Sequence, residues 1–416
     1  MPFLAFEGPA GTGKTYRLME EVRGHAAQLL RADQQVLGLT FMHGARRRLD
    51  ESFVAAPETR GKSHVTTIDS FAAHLVRRWS PLAPAIADFT QFDEVCDACG
   101  MLLERPEILN WVTETFPIVA IDEAQELSPS RLRIARAFAD AAHLVVAADE
   151  FQCLDEQIDT APFLEWFATG NVERLEIVRR TNRRGLLDAG VALRAGKRPI
   201  PGSGLSIRYQ FPAQVKFAVG HALRNGTGSR AVLVAPGSAR WANELIPLLA
   251  AGLRSKNQQV PPLPIAWESA PSNEAQTLAE ALFGADELIH CDDLIGRTET
   301  LDVKPVWLDT LIQSVEMARR AHGIRHWDMQ SLSSLCAKKA NLQRAYCRSS
   351  MSGIPVMSIQ AAKNRQFRDV VVLWGPGVHG DADHQRRLLY NAISRAEYTC
   401  TVIVRTQQLL ASPPFS

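Results

Sequence analysis

No stretch of eighteen or more uninterrupted apolar residues occurs anywhere in the 416-residue sequence, so no segment reads as a membrane-spanning helix. The first residues run directly into a glycine-rich loop instead of the charged and then apolar stretches of a secretory leader. Both absences predict a cytoplasmic protein. An excess of charge is lacking too: 46 basic and 45 acidic residues leave a formal net charge of +1. That excludes the strong overall positive field of a histone-like binder, and any nucleic-acid site must be local. Cysteines are few, seven and scattered, which points to reduced thiols and away from a disulfide framework. Cys96 and Cys99 form a lone C-x-x-C, and Cys336 and Cys347 are too widely spaced to supply a second pair. Helical packing is therefore the expected role of Cys96 and Cys99, not zinc binding. Internal repeats, long low-complexity tracts and the acidic clusters with lysine that mark a nuclease are also absent.

What is present is a rhythm of short apolar runs separated by amphipathic stretches. Runs at 3–7, 36–40, 64–67, 118–121 and 144–148 predict βαβ units in a parallel sheet. The pattern returns at 231–235, 356–359, 370–374 and 399–404, around helices expected near 241–250 and 385–396, and predicts a second α/β domain. The fold class expected is therefore α/β, with two parallel-sheet domains and small helical insertions. Residues 1–180 form the first domain, with a short helical insertion at about 75–115. Residues 181–270 begin the second domain, 271–350 form a small helical insertion, and 351–416 complete the second domain. The proline-rich stretch 261–270 reads as a linker. In the helical insertion, Lys338, Lys339, Arg344 and Arg348 fall towards one helix face, which suits phosphate contacts and equally a solvated surface.

The strongest local signal is Gly8, Pro9, Ala10, Gly11, Thr12, Gly13, Lys14 and Thr15, a complete G-x-x-x-x-G-K-[ST] between a strand and an amphipathic helix. Glycines let the backbone curl so that N–H groups face phosphate oxygens, Lys14 reaches the outer phosphates, and Thr15 can hold Mg²⁺. A second apolar strand ends in Asp122 and Glu123. Asp122 suits Mg²⁺, and Glu123 suits the activation of water, so hydrolysis of ATP is expected rather than passive binding.

The Asp122-Glu123-Ala124-Gln125 run, with segments in order around it, resembles superfamily 1 helicases of the UvrD and Rep type. Residues 39–43 resemble motif Ia, 66–71 motif Ib, 145–152 motif III, 181–184 motif IV, 356–363 motif V and 387–396 motif VI. The resemblance implies two RecA-like domains with ATP in their cleft and a single nucleic-acid strand across their tops. It also implies that Gln152 senses the γ-phosphate, and that Arg184 and Arg395 reach it from the second domain. Phe41, His43, Thr67, Ser70, Ser358 and Gln360 are the strand contacts it implies, with DNA favoured over RNA as the track. A protein partner in a repair, replication or defence complex is compatible with this reading, and a membrane is not.

The sequence also departs from that family. No glutamine-containing adenine reader precedes the first strand, and Arg183 stands where the family offers a tyrosine to stack on the base. Its guanidinium plane is expected to substitute. Asp69 replaces a histidine, and Asn364, Arg365 and Gln366 replace the common Gly-Leu-Glu, leaving Gln366 as a neutral ribose contact. After Gln152 the chain reads Cys153, Leu154 and Asp155, where the family places base-stacking aromatic and basic residues. Such stacking is worth about 1–3 kcal/mol per base, so a weaker strand grip is expected. The short insertions favour translocation over processive unwinding. Two further readings stay open: a nucleic-acid-stimulated ATPase subunit that does not unwind, and a nucleotide-gated binding module without turnover.

Overall fold

The computed structural model describes residues 3–416 except 42, 87, 90, 225–227, 257, 269–270, 285–287, 302–303, 306 and 347–352, with backbone alone at 43–44, 271–274, 321–322 and 341–346. The chain divides into two compact units, residues 1–266 with 352–416, and residues 267–351.

The larger unit carries two six-stranded sheets. The first contains β1 (Leu4–Glu7), β2 (Val36–Thr40), β3 (Ser63–Thr67), β4 (Ile118–Ile121), β5 (His143–Ala148) and β6 (Asn171–Arg174), in the order β3-β2-β4-β5-β1-β6. The second contains β7 (Leu205–Tyr209), β8 (Arg230–Val234), β9 (Ile265–Trp267), β10 (Ile354–Ser358), β11 (Phe367–Trp374) and β12 (Ala396–Val404), in the order β9-β10-β8-β11-β12-β7. The first sheet is parallel throughout, as is the second from β10 to β7. Four helices position the functional residues: α1 (Lys14–Leu29), α2 (Ile68–Arg78), α3 (Arg184–Arg194) and α4 (Ala382–Ile393).

The interior strands are apolar along their length because helices cover both faces of the sheet. In β4 all four residues are buried. Side-chain alternation sends Val119 and Ile121 into one core with α2, and Ile118 and Ala120 into another with Leu18 and Val22 of α1. At the centre of β2, a Cβ on Gly38 would lie 3.0 Å from both Leu49 and Phe53. Glycine there lets the helix His43–Ala55 press directly onto the strand. The core of the second sheet also takes in Ala10, Phe151 and Leu154 of the first half, so the two halves meet through apolar packing.

The expected strands are present with ends shifted by a few residues, while β6, β7 and β9 were not anticipated. Both β6 and β7 are edge strands in which Glu173, Arg174, Ser206 and Arg208 interrupt the apolar run. The supposed linker 261–270 contains the short edge strand β9. Cys96 and Cys99 lie buried on the helix Phe92–Leu103, where burial pushes both thiols well above their ordinary range. Cys96 Sγ donates to Asp69 Oδ1 at 3.4 Å.

The smaller unit is mainly helical, with helices Pro271–Phe283, Cys291–Glu299, Leu308–His322 and Met329–Tyr346 around its own core of Leu278, Leu282, Trp307, Leu311 and Leu332. Lys338 and Lys339 lie on its last helix, whereas the Arg344 side chain and Arg348 lie outside the described residues. No helix among the described residues is long and apolar enough to cross a membrane.

Candidate active site

The glycine-rich loop leaves β1 and enters α1 at Lys14. Gly11 and Gly13 hold φ of 83° and 93°, a left-handed region that glycine adopts without steric cost. A Cβ on Gly8 would stand 2.4 Å from the Leu175 carbonyl oxygen, and one on Gly11 would stand 2.6 Å from Arg180 Cβ. The loop is thus a cradle closed to side chains. Inside it, Lys14 Nζ donates to the Gly8 and Pro9 carbonyls at 2.8 and 3.1 Å and lies 3.8 Å from Asp149 Oδ2.

Asp122 sits just past the end of β4, where its Oδ2 accepts from Thr15 Oγ1 at 3.0 Å and its Oδ1 from the Glu123 backbone at 3.0 Å. Burial, and then the Glu123 carboxylate, push the Asp122 carboxyl up to about 6. Thr15 and Asp122 supply the hard oxygen donors that fit Mg²⁺, at the mouth of a loop whose N–H groups and lysine fit phosphate. Glu123 itself is in the left-handed region at φ 61°. A non-glycine residue held there costs on the order of 1–3 kcal/mol, and the turn aims its side chain away from the strand line. Gln125 Nε2 donates to Glu123 Oε2 at 2.6 Å, while Gln125 Oε1 accepts from Asp149 N at 2.9 Å. Glu123, Gln125 and Gln152 line one small cavity together with Phe41, Glu126, Lys363 and Asn364.

The second half reaches into this site through α4. Arg395 is 2% exposed; its Nη2 donates to Gln152 Oε1 at 3.2 Å and its Nε to the Asn391 carbonyl at 3.0 Å. Burial, followed by the charge of nearby Arg180, pushes it down to about 10. Gln152 Nε2 in turn donates to Asp149 Oδ2 at 2.9 Å. On α4, the Tyr390 hydroxyl accepts from Ala10 N at 2.7 Å and donates to Asp149 Oδ2 at 3.1 Å. One oxygen from the second half therefore bridges the phosphate loop and the end of β5. A further contact crosses beside Glu123, where Lys363 Nζ meets Glu126 Oε1 at 2.6 Å.

Residues 353–403, which include β10, β11, all of α4 and most of β12, match the family model of the UvrD-like helicase C-terminal domain. That part of the chain resembles a UvrD-like helicase. Among solved structures, the complex of Arterivirus nonstructural protein 10 (helicase) with DNA aligns over 98% of this chain and 62% of that one, at 9% identity and a TM-score of 0.41. The same Arterivirus protein crystallised by itself aligns at 10% identity and a TM-score of 0.40, over 98% and 61%. This chain thus spans about three fifths of their length. No curated protein matches it.

The structure brings Lys14, Thr15, Asp122, Glu123, Gln152 and Arg395 together, whereas Arg184, Arg183 and Gln366 make other contacts than those expected. Arg184 opens α3 with its side chain 89% exposed, 3.9 Å from Asp188. Four residues earlier, Arg180 packs on Gly11 and donates from Nη1 to the Ser394 carbonyl at 2.6 Å. Burial lowers its pKa as well. Arg180 lies in the stretch between β6 and α3, whereas Arg184 is the first residue of α3. Arg183 does not offer a free plane to a base, because its guanidinium stacks 3.5 Å over the Tyr398 ring, which Arg368 also covers at 4.6 Å. Gln366, with its amide turned to satisfy both ends, accepts from Arg180 Nη2 and Nε at 3.1 and 3.2 Å and donates to Glu397 Oε1 at 3.1 Å. Asp149 and Tyr390 fall within the segments likened to motifs III and VI but were given no role of their own, and Arg194 was not anticipated.

The expected strand contacts lie at carboxyl ends of parallel strands, the edge where open α/β sheets bind ligands. Phe41 follows β2, half-buried. Thr67 caps α2, accepting from Ser70 N at 3.2 Å and donating to Ser70 Oγ at 2.7 Å. Ser358 ends β10, exposed, and accepts from Ala361 N at 3.1 Å; Gln360 is exposed two residues on. The His43 side chain lies outside the described residues.

Proposed function

We propose that the chain is an ATP-driven motor on single-stranded nucleic acid, most at home on DNA. The observation that carries this reading is a pair of neighbouring arginines, Arg395, buried and bonded to Gln152, and Arg180, half-buried and packed on Gly11 of the phosphate loop. Two adjacent guanidiniums repel each other and lose solvation there, an arrangement that makes sense if a polyanion completes it. ATP would lie in the glycine loop with Lys14 on its outer phosphates and Mg²⁺ on Thr15 and Asp122, where the ion supplies charge neutralisation. Glu123, held by Gln125, orients and deprotonates the attacking water in the small cavity it shares with Gln152. Arg180 and Arg395 meet the charge that develops on the transferred phosphoryl group.

Because Arg395 belongs to the second half and Arg180 is bonded to Ser394 beside it, an intact γ-phosphate would tie the halves together and its loss would release them. Strand contacts at Phe41, His43, Thr67 and Ser70 on one sheet, and Ser358 and Gln360 on the other, would turn that cycle into movement. A nucleic-acid-stimulated ATPase subunit without unwinding uses the same residues and is the second reading. Steady-state ATP hydrolysis with and without single-stranded DNA or RNA tests the strand-coupled turnover that both readings require, and strand displacement from a partial duplex separates them. Strand-stimulated turnover abolished by Glu123→Gln supports the motor; background turnover with every strand, despite ATP binding, sinks it and leaves a nucleotide-gated module.

A further inference from the structure

Asp149 is fully buried and carries a full complement of donors. Its Oδ1 receives Arg194 Nη1 at 2.5 Å and the Phe151 backbone at 3.2 Å; its Oδ2 receives the Tyr390 hydroxyl and Gln152 Nε2. A buried carboxylate must be matched by a cation. Two are within reach, Arg194 in direct contact and Lys14 at 3.8 Å. Only one of them has another task, because a phosphate needs Lys14.

Were Lys14 the sole counter-ion, a nucleotide could recruit it only by stripping a buried anion of its partner. Arg194 removes that conflict. It is the last residue of α3, where the helix dipole favours a cation, and its guanidinium packs over the Phe151 and Tyr390 rings at 5.5 and 5.8 Å. With Asp149 so matched, the contacts Lys14 makes at hydrogen-bond distance are to the neutral carbonyls of Gly8 and Pro9. Neutral acceptors release a lysine to a phosphate far more readily than a desolvated carboxylate does.

We propose that Arg194 is a positioning residue of the nucleotide site, which neutralises Asp149 from the second half of the chain and thereby keeps Lys14 exchangeable. The proposal rests on the nucleotide-binding reading above. It makes phosphate affinity in the first half depend on docking of the second.

The test is equilibrium binding of a fluorescent ADP analogue with Mg²⁺ to the full chain, comparing wild type with Lys14→Ala, Arg194→Lys, Arg194→Met, Asp149→Asn and the Arg194→Met/Asp149→Asn double variant. Arg194→Met should weaken binding roughly tenfold or more, the scale of one charge contact. Arg194→Lys, which keeps the charge, should bind within a few-fold of wild type. The double variant should bind as Asp149→Asn does, because without the carboxylate the arginine has nothing to neutralise. That comparison holds even if Arg194→Met alone fails to fold. Unchanged binding in Arg194→Met, or a double variant weaker than Asp149→Asn, overturns the proposal, the latter result marking Arg194 as mere packing. Wild type that binds no better than Lys14→Ala is a different failure: it removes the nucleotide site itself, and the proposal with it.

Discussion

Tyr390→Phe deletes a single oxygen that two buried groups share. The Ala10 N–H, at 2.7 Å, loses its acceptor, while Asp149 Oδ2 keeps Gln152 Nε2 at 2.9 Å and Asp149 Oδ1 keeps Arg194. The Phe ring retains the edge-on contact with Phe151 at 5.2 Å, so no cavity forms. The dominant cost is therefore one orphaned buried donor, about 1–3 kcal/mol, with a smaller loss at a carboxylate that is still well served. Burial, then the charge of Asp149, push the hydroxyl above its ordinary range, so it is a neutral donor across any working pH. The expected result is an unfolding free energy lower by about 2 kcal/mol, read as a melting transition a few degrees below wild type in nucleotide-free protein. Tyr398→Phe serves as the comparison, since that ring works through its faces against Arg183 and Arg368. Equal melting temperatures for Tyr390→Phe and wild type would refute the claim that this oxygen joins the loop to the second half.

Other expectations are independent of that one. Asp122→Asn should stabilise the metal-free protein at neutral pH while abolishing Mg²⁺-dependent turnover. The sign follows from linkage: a carboxyl raised to about 6 from 3.8 destabilises the fold progressively as pH rises between those values, and fully above them. The gain should vanish below the lower value, where both folded and unfolded chains are protonated, and thermal melts across pH check it. Arg180→Ala should reduce kcat by roughly a hundredfold or more, as loss of a transition-state donor does, whereas Arg184→Ala should stay near wild type; equal effects would return the role to Arg184. Glu123→Gln should leave ATP binding near wild type while turnover falls to background, and residual turnover near wild type would deny Glu123 its role.

The interior strands were readable because helices on both faces demand continuous apolar runs, and β2 and β4 match their expected limits. The edge strands β6 and β7 escaped because pairing on one side tolerates Glu173 or Arg208 in the run. The glycine loop and the Asp122-Glu123 pair were legible for a related reason: backbone curvature and a strand end place those residues through contacts a few positions apart. Chain order alone also located α4 and Arg395.

Arg180, Arg183, Arg184 and Gln366 show where that logic stops. Three arginines within five positions are chemically alike, and nothing local says that one will pack on Gly11, one stack on Tyr398 and one face solvent. Those fates depend on residues far along the chain, namely Ser394, Tyr398 and Gln366. Asp149 is the same case, a strand-end aspartate whose meaning comes from Arg194 and Tyr390. The sequence by itself determined the two parallel sheets and the phosphate cradle, because propensity, periodicity and short-range turns act along the chain. Only the tertiary structure decided which charges are buried together, because desolvation and pairing are properties of the space between segments.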